Sequence, residues 1–287
     1  MTRYKLLAVD VDGTLVGPDQ RVSARTRRAI ASARRAGLVV CLATGRGVKE
    51  VVPVRREAGL DGAPDPLVCI SGALVCDGRT TRALLTQPMT MATAVAGCEA
   101  IAGTGLSAVA LVDPGRWGYD YIHVPGADAD HIERVWFSRG PFGVRRVDSL
   151  ADLDPAPEIL RLTAITDGDR AERVRGALGA ACGESLRVER IDAPNYGIHV
   201  VECFAAGADK WTGLRHVAAR HRIDAADIAA IGDDVNDLPL FAHVGLAVAM
   251  GNAAEPVRRA AGHVTAGHDA DGLAIVIERL LDTAFDA

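Results

Sequence analysis

Asp10-Val11-Asp12-Gly13 sets two carboxylates one residue apart, directly after the apolar run Tyr4–Val9. Acids this close repel each other unless a proton or a cation sits between them. A second acidic group, Gly232-Asp233-Asp234-Val235-Asn236-Asp237, follows a second apolar run, Ile228–Ile231. Clustered carboxylates call for a hard cation with oxygen ligands, which suits Mg²⁺. Thr44-Gly45 stands where another apolar run turns toward a helical stretch. A hydroxyl beside free backbone N–H groups at a helix N-terminus is suited to phosphate. Lys210 opens a separate helical stretch and adds a positive charge. A phosphate bridging a metal, a lysine and N–H donors is an electrostatically reasonable occupant of such a set.

A calcium loop is the simplest rival reading of the first acidic pair. An EF-hand loop starting at Asp10 needs glycine at its sixth position and glutamate at its twelfth. Those positions hold Leu15 and Arg21, so the pattern fails. Asp234 reads as a solvated neighbour of Asp233.

The elements that must carry these groups follow from the patterning. Residues 1–83 alternate strand and helix, with strands at 4–10, 38–43 and 67–71. The first helix opens at Ser23, a good N-cap, and stops at Gly37, a good C′ residue. A βαβαβ pattern predicts a parallel sheet with helices on both faces. Strand-like runs crowd closer together over 84–205: Leu106–Val112, Gly118–Val124, Glu158–Thr166, Leu186–Ile191 and Ile198–Phe204. Helical stretches near 90–102, 128–138 and 169–182 separate them, which predicts a mixed, antiparallel-type α+β sheet. Alternation over Gly118–His123 puts Tyr119, Tyr121 and His123 on one strand face. The βα rhythm returns after 206, with strands at Ile228–Ile231 and Gly245–Ala249 and a last helix at 271–284. The expected fold is therefore α/β: one parallel-sheet core built from 1–83 and 206–287, with an α+β domain, 84–205, inserted. Asp10 and Asp12, Thr44-Gly45-Arg46, Ser71-Gly72 and Gly232-Asp233-Asp234 each follow a core strand. All reach one sheet edge, where open α/β sheets bind ligands.

Bulk properties narrow the class. At 49% hydrophobic and 24% charged over 287 residues, the chain reads as an ordinary globular protein. A net charge of −5 gives no footing for nucleic acid or an acidic membrane surface. No segment reaches the roughly 20 apolar residues of a membrane-spanning helix. The chain runs straight into its first strand, which leaves no room for a signal peptide. Six scattered cysteines, with no CxxC pairing, read as buried hydrophobes in a reducing compartment. The expectation is a cytoplasmic protein, monomer or homodimer.

The motifs together resemble the haloacid dehalogenase superfamily, and within it the Cof-like phosphatases with a large α/β cap inserted after the third strand. Asp10-Val11-Asp12-Gly13-Thr14-Leu15 is similar to the nucleophile motif and Leu42-Ala43-Thr44-Gly45-Arg46 to the second motif. Lys210 matches the third-motif lysine, and Gly232–Asp237 the GDxxND metal motif. Val248-Ala249-Met250-Gly251-Asn252-Ala253 and Asp271-Gly272-Leu273 match the C-terminal signature. The likeness covers nearly the whole chain and implies a Rossmann-like core.

What the resemblance implies is a Mg²⁺-dependent phosphatase for a small phosphomonoester, a sugar phosphate before others. Asp10 would attack phosphorus and become an aspartyl-phosphate. Asp12 would protonate the leaving alkoxide and then activate water. Asp10, Asp12 (through its carbonyl), Asp233 and Asp237 would form the metal site. Thr44, Gly45, Lys210 and Asn236 would hold the phosphoryl group. Arg46, Ser71, Asn195 and Tyr196 are candidate substrate contacts, and the cap would close over the site and choose the leaving group. The chain departs from the family pattern at Ser71, where asparagine is usual, at Trp211, which replaces glycine, and at His268. A phosphomutase on the same fold and a non-catalytic phospho-aspartate or ligand-binding relative are the alternatives. Retention of Asp12 argues against a switch, because a long-lived acyl phosphate does not need it.

Overall fold

The computed structural model describes residues 2–193 and 198–285. In chain order the elements are β1 (Leu6–Val9), α1 (Ala24–Arg35), β2 (Val39–Ala43), α2 (Val48–Glu57), β3 (Leu67–Cys69), β4 (Leu74–Cys76) and β5 (Ala83–Thr86). Then come α3 (Met91–Ala102), β6 (Ala108–Leu111), α4 (Pro114–Trp117), β7 (Tyr121–Val124), α5 (Ala129–Val135), β8 (Val144–Arg146), β9 (Arg161–Thr166), α6 (Gly168–Cys182), β10 (Leu186–Ala193) and β11 (Ile198–Ala205). The chain finishes with α7 (Lys210–His221), β12 (Ile228–Gly232), α8 (Leu238–Phe241), β13 (Leu246–Ala249), α9 (Glu255–Ala260), β14 (His263–Val264) and α10 (Gly272–Leu281).

Two compact units result, Met1–Leu85 with Asp209–Ala287, and Thr86–Ala208. The first unit holds an eight-stranded sheet in the order β14-β13-β12-β1-β2-β3-β4-β5. Its six strands from β14 to β3 run parallel. Every residue of β1 is buried, on both faces of the pleat, as a parallel strand covered on each side requires. Leu6, Ala8, Cys41, Ala43, Ile228 and Ala230 pack on one face with Leu214 and Val217 of α7 and Phe241 of α8. Helices α1 and α10 contact each other and bury Ile30, Ala33, Val276 and Leu280. Strand order turns back at β1: the chain goes outward through β2 and β3 and returns on the other side through β12. The carboxyl end of β1 is therefore the switch point of the sheet, where ligands bind in this architecture.

The core strands stop earlier than the sequence pattern suggests. β3 ends at Cys69, and Ile70 and Ser71 take left-handed backbone conformations, φ 52° and 48°. That turn sends the chain back as the antiparallel β4, with Val68 opposite Val75. α2 begins at Val48, with the Glu50 carboxylate accepting the N–H of Gly47. Thr44 and Gly45 thus lie in the loop before the helix and not in its first turn.

The second unit is a six-stranded sheet, β10-β11-β9-β6-β7-β8, antiparallel except for β7 with β8. Its core joins Leu162, Ala164, Val201 and Ile122 to Ala94, Cys98 and Ile101 of α3 and Val174 and Leu178 of α6. Gly118, at φ 76°, ends α4, so β7 starts only at Tyr121. Tyr119 precedes the strand and does not share its face. Tyr121 and His123 do share one, and both rings pack on Phe137 at 5.6 and 5.3 Å. All six cysteines are free, and only Cys182 is not fully buried. No helix among the described residues is long and apolar enough to cross a membrane.

Candidate active site

Asp10, Lys210, Asp233 and Asp237 all belong to the first unit. β1 delivers Asp10, β12 delivers Asp233, the short turn Val235–Asp237 delivers Asp237, and the first residue of α7 is Lys210. Asp209 caps α7 by accepting the N–H of Thr212 at 2.7 Å, which fixes where the helix starts and hence where Lys210 emerges. Gly72 permits the approach: at φ 93°, a Cβ there would lie 1.7 Å from the Asp209 carbonyl oxygen.

The Lys210 ammonium, 1% exposed, donates to Asp10 Oδ1 and to Asp237 Oδ1, both at 2.7 Å. The other Asp237 oxygen accepts the backbone N–H groups of Asp233 and Asp234 at 3.0 and 3.2 Å. Carboxylate oxygens of Asp10, Asp233 and Asp237 lie within 4.8 Å of one another. Burial pushes the Asp10 carboxyl well above the usual range, and the neighbouring carboxylates of Asp237 and Asp233 push the same way while Lys210 opposes them. Asp233 is pushed up to about 6, first by burial and then by Asp237, against a hydrogen bond from Thr14. Burial alone would lower the Lys210 ammonium, but Asp10 and Asp237 outweigh it and hold its pKa above the ordinary value.

Three carboxylates against one ammonium leave the cluster two negative charges in excess when all are ionised. The donors are all oxygen. A divalent hard cation matches both the charge and the chemistry, so the residues fit Mg²⁺.

Asp233 is held on several sides. Thr14 Oγ1 donates to its Oδ1 at 2.8 Å, and Asn252 Nδ2 donates to its Oδ2 at 3.2 Å. Gly13, at φ 79°, passes so close that a Cβ there would meet Asp233 Oδ2 at 2.1 Å. The loop after β1 folds onto itself through the N–H groups of Leu15 and Val16, which both donate to the Val11 carbonyl.

Asp12 stands apart from the carboxylate cluster. Its side chain is 56% exposed and takes a two-pronged hydrogen bond from Arg46, Nε to Oδ2 at 2.8 Å and the terminal nitrogen to Oδ1. The same Arg46 donates to the Gln20 side-chain oxygen and to the Glu50 carbonyl. The Thr44 hydroxyl oxygen accepts the Arg46 N–H at 3.1 Å, which leaves the hydroxyl proton to donate elsewhere. The Ser71 N–H donates to the Thr44 carbonyl at 2.9 Å, so the two loops are joined. Ser71 Oγ is buried without a hydrogen-bond partner and lies 3.4 Å from where a Cβ on Gly45 would be. Asn236 Oδ1 is likewise buried and unpartnered. Orphaned polar atoms of this kind are unusual unless something else binds there. Asp234 caps its own turn by accepting the Val235 N–H, as a neighbour and not a member of the cluster. Asn195 and Tyr196 lie outside the described residues.

The departures from the family pattern find local explanations. Trp211 stacks on His243, ring centroids 4.7 Å apart and 8° from parallel, and packs against the core. The His268 N–H donates to Asn252 Oδ1 at 3.0 Å. Asn252 also donates to the Gly13 carbonyl at 2.9 Å. Sequence reasoning gave Asn252 and Gln20 no role. Asn252 falls within the matched C-terminal signature, but its contacts with Gly13 and Asp233, like that of Gln20 with Arg46, join segments far apart in the chain.

Comparison with known proteins identifies the family. The family profile for haloacid dehalogenase-like hydrolases matches residues 7–277. A 5-amino-6-(5-phospho-D-ribitylamino)uracil phosphatase of Bacillus subtilis is 27% identical over 96% of this chain and 98% of its own. A phosphoglycolate phosphatase of Methanopyrus kandleri is 28% identical over 96% and 97%. Among solved structures, a haloacid dehalogenase-like hydrolase from Bacteroides thetaiotaomicron superposes with a TM-score of 0.79 at 24% identity, covering 96% of this chain and 99% of that one. The likeness thus runs through core and insert alike, and the chain belongs to the haloacid dehalogenase-like hydrolase family.

Proposed function

We propose that this hydrolase is a Mg²⁺-dependent phosphatase that cleaves a small phosphomonoester through an aspartyl-phosphate on Asp10. The reading rests on one observation above others: Lys210 bonds both Asp10 and Asp237 at 2.7 Å, with Asp233 alongside. A buried carboxylate held by a cation at the sheet's switch point is poised as a nucleophile. An Asp10 oxygen attacks phosphorus while the ester P–O bond breaks and Asp12 gives its proton to the leaving alkoxide. Asp12 then takes a proton from water, the water oxygen attacks the same phosphorus, and phosphate leaves with Asp10 restored. Lys210, the Thr44 hydroxyl, Gly45 and Asn236 hold the phosphoryl oxygens. Asp10, Asp233 and the Asp12 carbonyl would hold Mg²⁺, with Asp237 supporting them. The bound ion supplies charge neutralisation for the acids and the transferring group.

The leaving group is best matched by a polyol or sugar phosphate, which shares a primary alkoxide with the ribityl phosphate in the name of the Bacillus relative. We assign its selection to the inserted unit, Thr86–Ala208. Free cysteines throughout support a cytoplasmic setting. The test is release of inorganic phosphate from a panel of phosphorylated metabolites, with Mg²⁺ and with EDTA. Mg²⁺-dependent release is expected, with polyol and sugar phosphates leading. An isomeric sugar phosphate without free phosphate would point instead to a mutase, and a stable phosphoprotein without turnover to a switch.

A further inference from the structure

The C-terminal signature Met250-Gly251-Asn252-Ala253 has so far no part in the chemistry, although Asn252 touches two elements of the site. Its Nδ2 donates to the Gly13 carbonyl at 2.9 Å and to Asp233 Oδ2 at 3.2 Å. Its Oδ1 accepts the His268 N–H at 3.0 Å. Both amide donors and the acceptor are therefore engaged, which fixes the side-chain orientation: reversing the amide would set an oxygen against a carbonyl and a carboxylate. On the far side of the same carboxylate, Thr14 Oγ1 donates to Asp233 Oδ1 at 2.8 Å. Asn252 and Thr14 thus hold one oxygen each, from two segments widely separated in sequence. The Gly13 contact adds a second function, because it anchors the backbone of the loop that carries Asp10 and Asp12.

We propose that Asn252 is a positioning residue for the divalent cation: it sets the rotation of the Asp233 carboxylate and ties the loop after β1 to it, and Thr14 completes the support. The inference deepens the reading above and rests on it. Groups that hydrogen-bond a metal's ligands orient those ligands, and losing one typically costs about 10–100-fold in metal affinity or activity. Asn252 itself is exposed, so its removal need not disturb the core.

The test uses the full chain and Mg²⁺ alone. The melting temperature is followed across a Mg²⁺ titration, which yields the metal dissociation constant without any substrate. Asn252→Ala should raise that constant by about 10–100-fold and leave the melting temperature in EDTA near that of the unaltered protein. Asn252→Leu, which keeps volume and removes both donors, should do the same. Thr14→Val should weaken Mg²⁺ in the same direction, and the double variant should fall short of the sum because both act on one carboxylate. An unchanged dissociation constant in both Asn252 variants would overturn the proposal. So would a melting temperature in EDTA that drops in both, since that marks Asn252 as a folding residue. Asp233→Asn separates the two layers of inference. If it abolishes the Mg²⁺ response while the Asn252 variants do not alter it, the positioning role fails and the site stands. If it leaves the response intact, the cation is not at Asp233 and the underlying reading fails.

Discussion

The raised pKa of Asp233 makes the metal-free protein respond to pH in an unusual direction. Burial first, and then the Asp237 carboxylate, lift this group from 3.8 to about 6. The folded state therefore binds the proton more tightly than the unfolded state does. The stability this contributes is complete below the unfolded pKa and is lost as pH rises through about 6. Between pH 5 and pH 7.5 the loss from this one group is on the order of 1 kcal/mol, about one pKa unit of free energy. In a protein of this size that corresponds to roughly 2 °C in melting temperature. Asp10, lifted by burial and by the same neighbours, acts in the same direction. Mg²⁺ reverses the trend, because it binds the ionised carboxylates. Its apparent affinity should fall as pH drops below about 6. Scanning calorimetry at pH 5, 6 and 7.5, in EDTA and in Mg²⁺, reads both effects. The expected result is a metal-free protein that melts lower at pH 7.5 than at pH 5, a Mg²⁺ gain that grows with pH, and a flatter profile in Asp233→Asn. A metal-free melting temperature that rises with pH, unchanged by Asp233→Asn, would refute the reasoning.

Four further outcomes follow from the same contacts. Asp10→Asn should abolish phosphate release while circular dichroism shows the fold intact, whereas Asp12→Ala should slow both formation and breakdown of the phosphoenzyme in rapid-quench kinetics. Lys210→Met strands two buried carboxylates, so denaturant unfolding at pH 7.5 in EDTA should show a loss of about 3–5 kcal/mol, shrinking as acid neutralises the pair. Gly13→Ala forces a Cβ toward Asp233 at a left-handed φ of 79°; Mg²⁺-dependent turnover should fall far more than thermal stability does.

The acidic ends of β1 and β12, the Thr44 loop and Lys210 were all legible in the sequence, because apolar runs broken by acids or glycine mark where parallel strands end. The start and stop of α1 were equally plain from Ser23 and Gly37. Other features were hidden for physical reasons. β4 and β8 have three residues each, too few for a period of two to register, and Val144-Arg145-Arg146 does not alternate at all. The turn at Ile70-Ser71 places two residues with side chains at positive φ, where glycine would have been the signal. The strand at Tyr121 reads longer than it is because the αL turn at Gly118 is masked by aromatic residues on both sides. Thr44 and Gly45 carry the composition of a helix start, yet the helix begins at Val48 because Gly47 and Glu50 form the cap. The Arg46–Asp12 pair and the Asn252 contacts join segments far apart in the chain, and only the folded sheet brings them together.

The most direct test of the nucleophile is to trap it. The protein is mixed with a phosphorylated substrate and Mg²⁺, quenched in acid within milliseconds, and digested for mass spectrometry. Phosphate on the peptide containing Asp10, absent in Asp10→Asn, is the result expected. Turnover with no phosphorylated Asp10 at any quench time, or a phosphoryl group on another side chain, would contradict it.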